Sequence, residues 1–353
     1  TLDVKVKRAI QIAYKRIYSF HKKQLVHSFQ YKDAFNNQLG YKYTPLNKVG
    51  IYIPGGKASY PSTVLMNAIP AIVAGVKKII AVVPTPNNEI NAGVIYAATI
   101  CGVKKIFRIG GAQAIAALAY GTETVDQVDK IVGPGNIYVA TAKKEVFGQV
   151  GIDMIAGPSE ITVVAGKENN SYWTAIDLLS QAEHDQLSQC ILLTKNKAFA
   201  VSVLSQIKKI IPKLPRKEIA AKSIKNYGAI IICKNDNEII DLVNKIAPEH
   251  LEIKIKNCEK IEKKIINAGS IFLGEYSPEA IGDYIAGPNH VLPTSGTARF
   301  SSGLSVADFY KKTSLIKCSK LGIQKIGQAA IDLANYEGLQ AHALSIKTRL
   351  NNN

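Results

Sequence analysis

The feature that most constrains this chain is the order of its apolar runs. From Gly50 onward, short runs rich in Ile and Val alternate with helix-patterned stretches of about ten residues. "VGIYIPGG" reads as a strand closed by a Pro-Gly-Gly turn. "KKIIAVVP" reads as a strand, "NAGVIYAATICG" as a helix, "KKIFRIGG" as a strand, "AQAIAALAYG" as a helix and "DKIVGPGN" as a strand with its turn. A second series follows "MIAGPSEITVVAG": helix 172–184, strand "CILLTK", helix 197–211, strand "GAIIIC", helix 236–246, strand "HLEIKI", helix 257–267 and strand "SIFLG". Strands separated by helices return by crossover, so they pair in parallel and their helices cover both faces.

Residues 2–30 read as an amphipathic helix, with Val4, Ile10, Ala13, Ile17 and Phe20 among lysines. After "SSGLSVADF" the pattern is that of a helical tail. The expected fold class is α/β: two Rossmann-like parallel-sheet units plus a helical C-terminal tail. The first series reads as an insertion, a Rossmann-like domain at residues 51–158. The other α/β domain joins residues 1–50 to 159–304, and the tail is 305–353. The chain of 353 residues is long enough for such domains to have sizeable cores. It begins at Thr1, not Met, so it reads as trimmed or as a fragment.

Several function classes are disfavoured. No apolar run approaches the roughly 20 residues that span a bilayer, so no membrane partner is expected. Five scattered cysteines, with no CxxC pair, read as reduced thiols in the cytoplasm. The net charge of +17 invites nucleic acid. Its lysines, however, are dispersed in pairs such as Lys77-Lys78, Lys104-Lys105 and Lys143-Lys144, whereas a dedicated binder clusters charge with Arg and stacking aromatics. No nucleic-acid partner is expected.

Chemistry-bearing residues gather at turns. Glycine-bearing turns follow strands at 53–56, 109–113, 133–136 and 156–160, none of them a GxGxxG fingerprint. Each alone is a tight turn; together they favour a nucleotide crevice beyond the strands' carboxyl ends. His21 and His27 lie among lysines and are expected to be solvated. Gln181 and His184 stand three apart at the polar end of a helix, so both side chains can reach one point: solvent, a neighbour or a metal ion. His250 follows Glu249, which sets a proton acceptor beside a carboxylate. His290 lies seven residues after Asp283, and His342 five after Glu337. His, Asp, Gln and Glu donors without cysteine suit a borderline ion such as zinc. The absence of HExxH disfavours a thermolysin-type protease.

Longer blocks sharpen this. "GIYIPGGKASYPSTVLMNAIPA", "GGAQAIAALAYGTE", "VGPGNIYVATAKK", "GIDMIAGPSE", "DLLSQAEHD", "APEHLEI", "AGSIFLG", "GDYIAGPNHVLPTSGTARFSSGLSV" and "EGLQAHALSI" resemble the L-histidinol dehydrogenase family, in family order and over nearly the whole chain. The family usually carries a further N-terminal stretch, expected to be missing here from the first domain. The resemblance implies a four-electron oxidation of L-histidinol to L-histidine through bound L-histidinal with two NAD, the last step of histidine biosynthesis. It implies one zinc (Zn2+) per subunit, on Gln181, His184, Asp283 and His342, and an acid–base pair at Glu249 and His250. Substrate contacts are implied at Ser159, His290 and Glu337, joined by the four zinc ligands and His250. Cofactor contacts are implied at Tyr52, Gln113 and Asn136. A homodimer with shared active sites and swapped tails is also implied. No cysteine adjoins these residues in sequence, which favours water over a thiohemiacetal as the route through the aldehyde. The alternative is an NAD-dependent dehydrogenase of the same fold acting on another amino or sulfonated alcohol; the imidazole-recognition positions Glu337 and His290 argue against it.

Overall fold

The computed structural model describes residues 2–55 and 60–350; Gly56 of the expected turn at 53–56 lies outside them. Helix α1 (Val4–Lys22) leads to strands β1 (Phe29–Lys32) and β2 (Gln38–Pro45). The first alternating series runs β3 (Lys48–Tyr52), α2 (Pro61–Ala74), β4 (Lys78–Val82), α3 (Ala92–Ile100), β5 (Lys105–Phe107), α4 (Gly111–Tyr120), β6 (Lys130–Val132), α5 (Ile137–Val146) and β7 (Gly151–Ile152). The second opens with β8 (Glu160–Val164), α6 (Ser171–Ala182), β9 (Gln189–Thr194), α7 (Lys197–Ile210), α8 (Lys217–Tyr227) and β10 (Gly228–Ile232). It continues with α9 (Asp236–Ile246), β11 (His250–Ile253), α10 (Cys258–Glu262), β12 (Ser270–Leu273) and α11 (Glu279–Tyr284). Strand β13 (Tyr310–Lys317) and helices α12 (Lys320–Tyr336) and α13 (Gln340–Leu350) end the chain.

Each series closes into a five-stranded parallel sheet, in the orders β5-β4-β3-β6-β7 and β10-β9-β8-β11-β12. In both, the first strand is central and the fourth crosses to its other side, which creates a topological switch point beside the central strand. Both faces of each sheet are covered, so the central strands are largely apolar. In the second sheet Ile161, Val163 and Leu192 pack with α6 and α7, whereas Val164, Leu193, Leu251 and Ile253 pack with α9 and α10. Asparagine starts many of the helices: Asn136, Asn170, Asn196 and Asn235 cap α5, α6, α7 and α9 by accepting from first-turn N–H groups. Each such cap contributes about 1 kcal/mol over alanine.

The described residues fall into two compact units: the segment before Leu25 with residues 46–309, and residues 25–45 with the segment from Tyr310 onward. The first holds both parallel sheets. The second is an antiparallel sheet, ordered β1-β2-β13, and the hairpin of α12 and α13. Asn37 ties this second unit together: its Oδ1 accepts from the Ser319 N–H at the cap of α12.

Four sequence expectations are corrected. The first helix ends at Lys22 rather than residue 30, because "HSFQYK" alternates with a period of two and feeds β1. His21 is not solvated but fully buried. It extends the stripe Ile10, Ala13, Ile17, and its ring meets Asn289 and the Ile17 carbonyl. The tail begins with a strand, not a helix: "YKKTSLIK" pairs with β2 along its whole length. The helix expected at 257–267 covers only 258–262. Beyond it, Asn244 accepts from the Ile266 N–H and donates to the Lys264 carbonyl, holding an irregular stretch. No helix among the described residues is long and apolar enough to cross a membrane.

Candidate active site

A cleft of about 270 Å³ lies in the first unit, between the carboxyl end of the first sheet and the amino end of the second. The first sheet supplies Pro54 after β3, and Pro134 and Gly135 after β6. Close approach of these two strands requires a glycine at 133. Its φ is +110°, and a Cβ there would stand 2.2 Å from the Tyr52 carbonyl oxygen. The second sheet supplies Ser159 before β8, and Glu249 and His250 at the start of β11. Helix α6 adds Gln181 and the turn after it His184, while α11 adds Asp283 and Tyr284, and His290 follows. Seven of the twelve residues singled out in the sequence therefore line one cleft.

Gln181 and His184 are neighbours by a different route from the one expected. The helix stops at Ala182, and a tight turn in which the His184 N–H donates to the Gln181 carbonyl (3.1 Å) carries the chain on. Gln181 is buried and its Oε1 has no hydrogen-bond partner among the described residues; His184 is exposed.

His250 is buried, and its Nδ1 lies 3.0 Å from the Glu160 carbonyl oxygen. A carbonyl only accepts, so Nδ1 carries the hydrogen and Nε2 holds the lone pair of the neutral ring. That Nε2 has no hydrogen-bond partner among the described residues and lies 4.0 Å from both Glu279 Oε1 and Asp283 Oδ1. Burial lowers the His250 pKa, against the opposing pull of Asp283. Burial pushes Glu249 well above the usual carboxylate range, although its Oε2 accepts from the Glu160 N–H at 2.9 Å. The same oxygen is 3.6 Å from His250 Nδ1. His290 donates from Nδ1 to the Asp283 carbonyl (2.9 Å), and burial lowers its pKa too.

Tyr52, Gln113 and Asn136, the residues expected at a cofactor, sit at the first sheet's carboxyl end. The Tyr52 hydroxyl accepts from the Gly111 N–H at the start of α4 (3.1 Å). Gln113 is exposed in the first turn of α4, and Asn136 caps α5. His342 and Glu337 belong to the second unit and are exposed there, on α13 and at the end of α12.

Two residues escaped the sequence reading. Glu160 is raised by burial, and its Oε1 accepts from the Ser295 N–H. Glu279 is pushed up to about 9, by burial first and then by Asp283 beside it. His250, Glu279 and Asp283 offer ligating atoms within 4.8 Å of one another. The signal for Glu279 was its spacing from Asp283, one helical turn apart after a Ser-Pro start.

Two Rossmann-like sheets facing a cleft with a buried Glu–His pair are the architecture of an α/β enzyme. The family model for histidinol dehydrogenase matches residues 1–350. Histidinol dehydrogenase from Acinetobacter baylyi is 57% identical over 348 residues, covering 99% of this chain and 81% of that protein. The crystal structure of histidinol dehydrogenase from Elizabethkingia anophelis superposes with a TM-score of 0.95 at 42% identity, over 99% of this chain and 81% of that one. At 15% identity, an acetylating aldehyde dehydrogenase from Geobacillus thermoglucosidasius shares the fold alone, with a TM-score of 0.59 over 89% of this chain and 88% of that one. The chain belongs to the histidinol dehydrogenase family and is an oxidoreductase.

Proposed function

We propose that this chain oxidises L-histidinol to L-histidine through bound L-histidinal, with two NAD per turnover and one zinc per subunit, as the last step of histidine biosynthesis. The observation that carries the reading is the buried Glu249–His250 pair in one cleft with Gln181, His184, Asp283 and His290, in a chain of this family.

The donors fit zinc. Imidazole nitrogen and amide or carboxylate oxygen suit that ion, and Gln181 Oε1 is a buried oxygen without a partner among the described residues. Gln181, His184 and Asp283 would hold it, completed by His342. When bound, zinc supplies the charge that keeps the imidazole and amine of histidinol in register. The glycine turn after β6 and the start of α5 suit a dinucleotide, with Tyr52, Gln113 and Asn136 as its contacts; when bound, NAD supplies the hydride acceptor of each oxidation.

His250 takes the alcohol proton at Nε2, the atom its Nδ1 hydrogen bond leaves free. Its lowered pKa keeps the ring neutral and ready to accept at neutral pH. Burial raises the Glu249 carboxyl, which makes its carboxylate a stronger base, and it takes a proton from the water that adds to the aldehyde. As that water adds, His250 gives its proton from Nε2 to the aldehyde oxygen, and the neutral ring then takes a hydroxyl proton of the resulting hydrate in the second oxidation. Ser159, His290 and Glu337 orient the substrate. Water is the nucleophile because no cysteine lines the cleft among the described residues, and burial pushes Cys101 and Cys190 up to about 12.

Exposed apolar side chains on the second unit, among them Ile316, Leu333 and Leu344, support burial against a second copy of the chain. The decisive experiment is NADH formation from histidinol with zinc present. Two NADH per histidinol consumed are expected; a ratio of one would remove the second oxidation.

A further inference from the structure

Strand β11 breaks the rule that a central strand covered on both faces is apolar throughout. It reads His-Leu-Glu-Ile from His250, and Lys254 follows directly. Leu251 and Ile253 enter the core on the α9 side. His250, Glu252 and Lys254 share the opposite face, because strand side chains alternate, and all three are buried. Helix α6 brings Asp177, Ser180 and Gln181 to that region, three and four residues apart on one helical face.

These side chains join into one seam. Lys254 Nζ pairs with Asp177 and lies 3.1 Å from Glu252 Oε2. Glu252 Oε1 accepts from the Glu279 N–H at the first residue of α11 (2.6 Å). The Ser180 hydroxyl donates to Glu279 Oε2 (3.2 Å). Glu279 and Asp283, one turn apart on α11, each place a carboxylate oxygen 4.0 Å from His250 Nε2. Asp177, Glu252 and Lys254 do not line the cleft. Apolar side chains of similar volume would fill their space without burying charge, a replacement that is often neutral or stabilising. Such side chains could not accept from the Glu279 N–H. Helix α11 begins at Pro278 without a side-chain cap of its own, so Glu252 reaches across from the strand to do that work.

We infer that Glu252, held by the Lys254–Asp177 pair, is a positioning residue that anchors the first turn of α11 and thereby sets Asp283 and Glu279 against His250. The inference rests on the roles proposed above for His250 and Asp283. It is tested on the full chain with Glu252→Met, which removes the acceptor, and Glu252→Gln, whose amide oxygen can still accept. Leu192→Ala, in the same sheet but outside the seam, is the control for general loosening. Thermal midpoint, kcat and KM for histidinol, and zinc affinity by competition with a chelating dye are measured for each.

Glu252→Met is expected to lower kcat roughly ten- to a hundredfold and zinc affinity about tenfold, the range of supporting residues around metal sites, with KM little changed. Glu252→Gln should stay near wild type on every readout. Wild-type kcat and zinc affinity in Glu252→Met would overturn the inference. So would equal losses in Glu252→Gln, or in Leu192→Ala at a similar midpoint. Should Glu252→Met fail to fold, Lys254→Met with Asp177→Leu removes what holds Glu252 at similar volume. There a several-fold loss of kcat or zinc affinity is expected, and no loss in either overturns the inference. A wild-type chain that makes no NADH defeats the functional reading alone, since zinc affinity still judges the positioning.

Discussion

His250 keeps its Nδ1–H on the Glu160 carbonyl, so any proton it exchanges passes through Nε2. Replacing it with asparagine keeps a polar group at the start of β11 but removes the proposed base. His250→Asn is therefore expected to lower kcat by about 10²- to 10⁴-fold while zinc content in purified protein holds. Because burial lowers the His250 pKa, its neutral form persists to more acid pH, and the limb of kcat/KM that it controls falls below the usual imidazole range. Glu249→Gln should slow oxidation of added histidinal more than the first oxidation; histidinal oxidised at the normal rate would remove Glu249 from the hydration step. The polar residues of this cleft were legible because each flanks an apolar run: Glu249-His250 at the start of β11, Gln181 and His184 at and just past the end of α6, Ser159 before β8. What the sequence hid is the protonation chemistry. Nothing in "APEHLEI" says that Glu249 is raised and His250 lowered, since both shifts come from burial by distant segments.

Helix α11 is six residues long yet presents two carboxyl groups to His250. Its short span has no amphipathic period to read, which is why the sequence left "SPEAIGD" without an element. A different difficulty hid β1 and β13: their residues are largely exposed, so no buried face marks them, and the alternation of β1 spans only four residues. Burial gives α11 a pH signature. Glu279 is pushed up to about 9 and its neighbour Glu252 to about 7, from an ordinary value of 4.5. Both folded values exceed the unfolded ones, so over this window the folded state holds protons that the unfolded state has released. Their contribution is complete below about pH 4.5 and is lost as pH rises through about 7 and then about 9. The thermal midpoint of zinc-free protein is expected to fall between about pH 6 and 9. Glu279→Gln, which cannot ionise, should flatten the upper part of that fall; an unchanged slope would show that Glu279 does not carry it.

At the scale of the whole molecule, the two parallel sheets were legible because crossover helices leave an alternation that no other arrangement of strands produces. The second unit was not, because its strands come from residues 29–45 and 310–317, and pairing across that separation leaves no local mark. Two residues of the proposed site, Glu337 and His342, sit in that unit and are exposed. If it acts across a two-fold axis, one chain's Gln181, His184, Asp283 and His250 work with the partner chain's His342 and Glu337. His250→Ala and His342→Ala, each inactive as a homodimer, separate the cases when co-expressed with different tags. In a mixed dimer acting in trans, one site receives both lesions and the other neither. Random pairing makes about half the dimers mixed, each with one intact site of two, so about a quarter of wild-type activity should return. If the second unit serves its own chain, every site keeps one lesion and the mixture stays inactive. Purification through both tags isolates the mixed dimer, whose activity should then reach about half of wild type; no activity in that fraction would show that the sites are not shared.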